Sequence, residues 1–461
     1  MVSALTHVDE RTVLARNGGL PRLNAALRDS SALRVCYLGG SVTEQKAGWR
    51  PRVTGWLGGT CTTEEVPAFC GNCGSKVLIH LVTDWVIARA PHLVFIELSI
   101  NDGDTLLETE QPEVLGCAFE GIVRHIRREL PQCEVCVVSM FVRDELPLHQ
   151  RTGTKAWADN AAADAADAYR VATPALHGRI AAHYGASHVN LVPLFSALPS
   201  PLRQLAFRDD CHHTEAGAAL AAAAVCLCVR RMCGACAPAG SRGGGAGGGG
   251  GGGDAGGGGG GGGGRGGGGS EQQQRGSLLP PPLHGAVWPC GRAQPVKPEE
   301  LSCLYVAPEA APRDAQQRAE LQQRLLQRHT QLDMDPLRPP QRAAWWLLYG
   351  GDHADVAFCG SRLAILTMVG PDAGVVRCEV DGGSRVTTRC LLDKWSYYWR
   401  LSVVLLVDDL PRGEHTARLS LERKRPDGAA ILKRPPTGEH WEACVRDGRD
   451  HKLWLMHWLV S

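Results

Sequence analysis

The sequence predicts two domains of different class: an α/β domain on a parallel sheet, then a small all-β sandwich. Three observations predict this. From residue 33 to residue 231, buried-strand runs alternate with amphipathic helical patterns, as in βαβ units. Residues 243–269 are almost all glycine, which cannot form a packed core, so that segment divides the chain. Beyond residue 343, short strand-like runs are separated by Gly-Pro-Asp, Asp-Gly-Gly and Pro-Arg-Gly turns, the texture of a sandwich. The expected boundaries are 1–238 for the first domain, 239–300 for a disordered Gly- and Pro-rich linker, and 301–461 for the β domain with a short helical lead-in.

Composition narrows the class. The 461 residues leave room for two or three domains, and 44% apolar with 21% charged residues is ordinary for globular protein. A net charge of +1 gives no basis for a nucleic-acid partner. No stretch of eighteen apolar residues predicts a membrane span. Met1–Arg16 carries Asp9, Glu10, Arg11 and Arg16 and has no apolar signal region. Reduced thiols in a cytoplasm-like compartment are therefore the default for the 18 cysteines. Three C-x-x-C pairs occur: Cys70/Cys73, Cys133/Cys136 and Cys233/Cys236. Cys133-Glu-Val-Cys136 opens a strand, so its thiols should point to opposite faces rather than converge on a metal. Cysteine as a small buried apolar residue is favoured, and no metal or cofactor is expected.

In chain order, residues 1–31 are expected to be helical and peripheral. Leu33–Leu38 is the first strand, and 48–58 a short helix and turn. Val77–Ala90 has apolar residues at helical spacing and stops at Pro91. His92–Leu98 is a buried strand. Glu113–Leu130 places Leu115, Phe119, Ile122, Val123 and Ile126 on one helical face. Val135–Phe141 and His188–Leu194 are further strands. Ala156–Tyr184 and Thr214–Arg231 are alanine-rich helices. After the glycine segment, 312–333 is a polar helix. Six strands follow, over 358–369, 374–380, 385–392, 399–407, 415–422 and 453–460.

The chemistry gathers at the ends of strands. In Leu38-Gly39-Gly40-Ser41, a strand drives into a tight glycine turn that presents Ser41 at the sheet edge. Ligands of parallel sheets bind beyond these carboxyl ends, and Asn101 follows its own strand at the same edge. Serine alone is a poor nucleophile and needs a base. In Asp209-Asp210-Cys211-His212-His213, a carboxylate three residues before a histidine can hold Nδ1 and leave Nε2 free. Asp209 with His212, or Asp210 with His213, satisfies that spacing. An oxyanion also needs preorganised donors, and the Ser41 N–H, the Gly71–Gly74 turn and the Asn101 amide are available. Each piece alone has a plainer reading: a turn, a helix cap, a turn former. Glu97 and Asp84 read as structural.

Taken together, residues 33–231 resemble the SGNH hydrolases, the GDSL-type esterases and lipases. Ser41 in Gly-Gly-Ser-Val-Thr, Asn101 in Glu-Leu-Ser-Ile-Asn-Asp, and Asp209 with His212 match the family's blocks. The family counts its base five residues before a glycine, here Gly217, which favours His212 over His213. Gly40 stands where the family's aspartate usually precedes the serine. Asn72 stands where its oxyanion glycine is usually found, so Gly74 or Gly71 must serve, and Gly74 is preferred. The resemblance implies a three-layer flavodoxin-like fold and ester hydrolysis through an acyl-enzyme. Ser41 would be the nucleophile, His212 the base and Asp209 its orienter. Ser41, Gly74 and Asn101 would supply the oxyanion donors.

Phe358–Ile365 and Val376–Gly382 resemble jelly-roll modules attached to carbohydrate esterases. Trp395, Tyr397, Tyr398 and Trp399 could stack on sugar, although filling a sandwich core is the favoured role. The expected substrate is a small-molecule or glycan ester, with acetyl the expected acyl group. An O-acyltransferase using the same residues, or a non-catalytic glycan-binding protein, are the alternatives. The glycine segment also predicts that residues 1–238 fold and turn over small esters alone.

Overall fold

The structure is a computed structural model. It describes residues 13–15, 19–29, 31–103, 112–142, 171–233, 279–284, 292–295, 346–349, 351–370, 373–393, 396, 400–423, 426 and 452–460. The polar helix expected over 312–333, the first part of the helix expected over 156–184, the glycine segment and the Trp395–Trp399 aromatics lie outside these residues.

The α/β expectation holds. Strands β1 (Leu14–Ala15), β2 (Leu33–Gly39), β3 (Thr63–Phe69), β4 (Leu93–Glu97), β5 (Glu134–Ser139) and β6 (Ser187–Asn190) form one sheet in the order β1-β6-β5-β4-β2-β3. β2 to β6 are parallel, and β1 is added antiparallel at the edge. Among the described residues, ten α-helices connect or cover them: α1 (Pro21–Arg28), α2 (Ser41–Glu44), α3 (Trp49–Gly58), α4 (Ser75–Leu78), α5 (Val82–Trp85), α6 (Pro112–Glu129), α7 (Thr173–His183), α8 (Val192–Ser196), α9 (Ser200–Ala206) and α10 (Glu215–Met232). Two apolar cores lie on the two faces of the sheet. Cys136 enters the core with Trp49, Phe195 and α10, and Cys133 enters the core with α4, α6 and α7. The Cys133/Cys136 thiols thus diverge, as strand geometry requires.

The strand expected over His188–Leu194 ends at Asn190, and α8 begins at Val192. The helix expected over 77–90 is broken into α4, α5 and a 3₁₀ turn at Ile87–Arg89, which ends on Ala90 in the left-handed region. β3 was not foreseen, because Thr-Glu-Glu-Val-Pro-Ala-Phe carries two glutamates and a proline. It sits at the sheet edge, where a missing ladder N–H and alternating exposure are tolerated.

The second domain is a sandwich of two antiparallel sheets. One holds β13 (Arg400–Val407), β10 (Leu363–Val369), β15 (Lys452–Val460) and β7 (Arg292–Pro295), with β8 (Trp346–Tyr349) also on β15. The other orders β12 (Arg385–Cys390), β11 (Val375–Val380), β14 (Gly413–Leu421) and β9 (His353–Gly360). The single strand expected over 358–369 is two strands, split at Gly360-Ser361-Arg362. The expected disordered linker is not wholly without structure. β7 lies within it, and so does Leu279–His284, which is strapped to α6. The buried Glu120 accepts the backbone N–H groups of Leu283 and His284 at 2.7 and 2.8 Å, and Arg124 donates to the Pro280 carbonyl at 2.6 Å. Among the described residues, no helix is long and apolar enough to cross a membrane.

Candidate active site

The site forms where β2 and β4 end. Gly39 closes β2 and Gly40 caps α2, whose first residue is Ser41. Both glycines let other groups approach closely, Gly39 tightly enough to exclude a side chain. A Cβ on Gly39 would stand 2.3 Å from Thr43 Oγ1, and one on Gly40 would stand 1.9 Å from Asn101 Oδ1. A side chain at position 40 would have to displace the end of the Asn101 side chain. As a first-turn residue, Ser41 has an N–H with no intrahelical carbonyl to meet.

The loop 206–214 supplies the base. It is folded back on itself by the Phe207–His213 bridge and by the bonds from Arg208 N–H to the His212 carbonyl and Thr214 N–H to the Ala206 carbonyl, both 3.0 Å. Thr214 caps α10 by accepting the Gly217 N–H. Gly217 has to be glycine because a Cβ there would lie 1.9 Å from the Ala206 carbonyl oxygen. Gln45 clamps this loop to the serine turn. Its amide donates to the His213 carbonyl and accepts the His213 N–H, each at 3.2 Å.

These elements bring three of the expected side chains together. His212 Nε2 is 2.8 Å from Ser41 Oγ, and His212 Nδ1 is 2.9 Å from Asp209 Oδ2. A carboxylate can only accept, so Nδ1 carries the proton and Nε2 faces the hydroxyl with its lone pair. Burial works to raise the Asp209 pKa. The His212 ring, with the N–H groups of His212 and Cys211 on Oδ1, outweighs it and brings the carboxyl down to about 2. Asp209 is thus charged at any ordinary pH. His213, the alternative base, points elsewhere. Its ring lies among Phe195 and Phe207, and burial pushes its pKa down to about 3.

The third region is the turn before α4. Asn72 has φ +58°, the left-handed conformation that asparagine tolerates better than most residues, which accounts for a non-glycine at this turn position. Gly74 caps α4, and a Cβ there would stand 2.5 Å from Asp102 Oδ1 and 3.4 Å from Asn101 Cβ. Gly74 and Asn101 are therefore packed together beside Gly40 and the serine turn.

Sequence reasoning missed a buried network behind that turn. Asp102 Oδ1 accepts the Ser75 N–H at 2.7 Å and the Ser75 hydroxyl at 3.0 Å, and Oδ2 accepts from His177 Nε2 at 2.9 Å. Both side chains are fully buried, and the His177 ring stacks on Phe119. Nothing local signals this network, since Ser75 and His177 lie 27 and 75 residues from Asp102. Glu97, expected to be structural, accepts the Thr43 hydroxyl at 3.0 Å and so holds α2.

Residues 37–220 match the GDSL-like lipase/acylhydrolase family. A two-domain esterase (CEX) active on acetylated mannans, co-crystallised with mannopentaose, is similar in structure at 16% identity and a TM-score of 0.59. The match covers 98% of this chain and 97% of that one. A second structure of a two-domain esterase so described matches at 18% identity and a TM-score of 0.60, over 98% of both chains. At these identities the likeness is one of fold, and it includes both domains. No curated protein matches the chain in sequence.

Proposed function

We propose that this SGNH/GDSL-type esterase is a serine hydrolase that removes small O-acyl groups, acetyl foremost, from carbohydrate through an acyl-enzyme. The observation that carries the reading is the continuous bond path Ser41 Oγ–His212 Nε2, His212 Nδ1–Asp209 Oδ2, at 2.8 and 2.9 Å. Ser41 Oγ attacks the ester carbonyl while Nε2 takes its proton. The imidazolium that forms is stabilised by the Asp209 carboxylate, which stays charged. The tetrahedral oxyanion is held by the Ser41 N–H, the Gly74 N–H and the Asn101 amide, donors fixed before substrate arrives. Nε2 then returns the proton to the departing alcohol. Water, activated by the same nitrogen, releases the acyl group from Ser41.

Acetyl and carbohydrate enter through the two-domain relatives, whose described substrate is acetylated mannan. The chain matches these two-domain structures over 98% of its length. The test is hydrolysis of p-nitrophenyl acetate, butyrate and octanoate, and acetate release from acetylated mannan, by the full chain and by Ser41→Ala. The expected outcome is a preference for acetate and loss of roughly 10³-fold or more in kcat in the variant. Equal turnover in Ser41→Ala overturns the nucleophile. Transfer of acetyl to an added sugar in place of water would make the protein an acyltransferase.

A further inference from the structure

One side chain beside the triad has no part in the hydrolysis. Cys211 lies between the orienting carboxylate and the base, and its Sγ is 3.7 Å from His212 Nδ1. The same Nδ1 is 2.9 Å from Asp209 Oδ2 and 3.0 Å from Oδ1. A sulfur, an imidazole nitrogen and a carboxylate oxygen thus converge, all within 4.8 Å of one another. Zinc with Zn–S of about 2.3 Å and Zn–N and Zn–O of about 2.0–2.1 Å, at the tetrahedral angle, needs an S···N edge of roughly 3.5 Å and an N···O edge of roughly 3.3 Å. The first edge is met within a few tenths of an ångström. The second opens by a similar amount once the hydrogen bond gives way to the ion. The Asp209 side chain is 46% exposed and that of His212 18%, so a hydrated ion and its remaining water ligand can reach the cluster. Arg208, whose Nε is 3.6 Å from Asp209 Oδ2, is itself 48% exposed and able to swing aside.

We propose that Asp209, Cys211 and His212 form an inhibitory binding site for Zn²⁺. A thiolate–imidazole–carboxylate set selects zinc over magnesium and calcium, which favour all-oxygen sites. Inhibition follows from the tautomer. In the active form Nδ1 holds the ring proton and Nε2 is the base. With zinc on the Nδ1 lone pair, the neutral ring carries its proton on Nε2. That nitrogen then donates to Ser41 Oγ and accepts nothing. One proton leaves to solvent, from the Cys211 thiol, and no covalent bond to Ser41 forms or breaks. The ion is a brake on the site and not a cofactor of it. The inhibitory consequence rests on His212 being the base proposed above, whereas the binding does not.

The test uses the full chain, Cys211→Ala and Cys211→Ser, each compared with its own metal-free rate. Cobalt(II) replaces zinc as the spectroscopic probe. The expected result is a thiolate-to-cobalt charge-transfer band that both substitutions remove. Zinc should inhibit p-nitrophenyl acetate turnover in the parent and chelator should restore it, while the zinc concentration for half-inhibition rises roughly tenfold or more in both variants. Equal cobalt spectra in parent and variants overturn the site. Equal zinc sensitivity overturns the inhibition by this cluster. A protein with no esterase turnover at all but a Cys211-dependent cobalt band supports the metal site and discards the proposed function instead.

Discussion

Glu97 ends β4 with its carboxyl fully enclosed, one hydrogen bond from the helix that begins at Ser41. Burial pushes its pKa from 4.5 up to about 7, against the pull of the Thr43 hydroxyl. The folded chain therefore holds this proton more tightly than the unfolded chain. The stability so gained is complete below about pH 4.5 and is lost as pH rises through about 7. Glu97→Gln keeps an oxygen to accept from Thr43 and cannot ionise. Its melting temperature, followed across that window, should fall less steeply with rising pH than that of the parent. Parallel curves would mean that Glu97 does not titrate there. At this scale the pairing of Asp209 with His212 was legible because its information is local. Asp209 and His212 lie three residues apart, and the turn that joins them needs no distant partner. The choice between His212 and His213 depended on a family spacing in the sequence, and in the fold it depends on the Phe195–Phe207 pocket that swallows the second ring. What a side chain at position 40 would meet could not be read locally, since the nearest atom belongs to Asn101.

Element α4 spans only four residues, Ser75 to Leu78, too few to hold itself in place by helical hydrogen bonding. Its first turn is fixed instead by Asp102, which accepts from the Ser75 N–H and hydroxyl and is itself held by His177 of α7. Asp102→Ala orphans three donors in a fully buried place, at a cost on the order of 1–3 kcal/mol for each group left unpaired. Asp102→Asn keeps an oxygen for Ser75 and can meet the other His177 tautomer with its amide. The expected order is parent, then Asn, then Ala in both melting temperature and kcat, with KM for a small ester changing less than kcat. A kcat equal to the parent's in Asp102→Ala would remove this carboxylate from the support of the Gly74 turn. A second element shows why burial patterns mislead. β10 reads Leu-Ala-Ile-Leu-Thr-Met-Val, with none of the alternation of a one-sided antiparallel strand, and every residue of it is buried. The reason is that both of its faces are covered. Leu363 and Ile365 enter the sandwich core, while Ala364 and Leu366 enter a core shared with the α/β domain. β12 faces solvent on one side and keeps the alternation.

For the whole molecule, the glycine segment pointed to two domains free of one another, and the packing argues otherwise. Ala364 and Leu366 of β10, Leu401 and Val403 of β13 and Leu459 of β15 share one apolar cluster with Val77, Leu78, Val82 and Phe119 of the α/β domain. α4 packs on β13. The helix that carries Gly74 at its cap is therefore supported from behind by the second domain, and the strap Leu279–His284 on α6 ties the chain down before the sandwich begins. Such a contact is invisible in sequence, because its two halves lie far apart along the chain and each looks like an ordinary core. A shared core should couple the stability of the two domains. Leu366→Ala is made wholly within β10 and creates a cavity on the shared side, at a cost of about 2–5 kcal/mol. The temperature at which esterase activity is lost should drop together with the temperature at which the sandwich melts, although Leu366 lies in β10 and not in the elements that carry Ser41, Asp209 and His212. Should the sandwich melt earlier while the esterase survives to its original temperature, the domains are independent. The isolated 1–238 domain would then be expected to match the full chain in stability as well as in turnover.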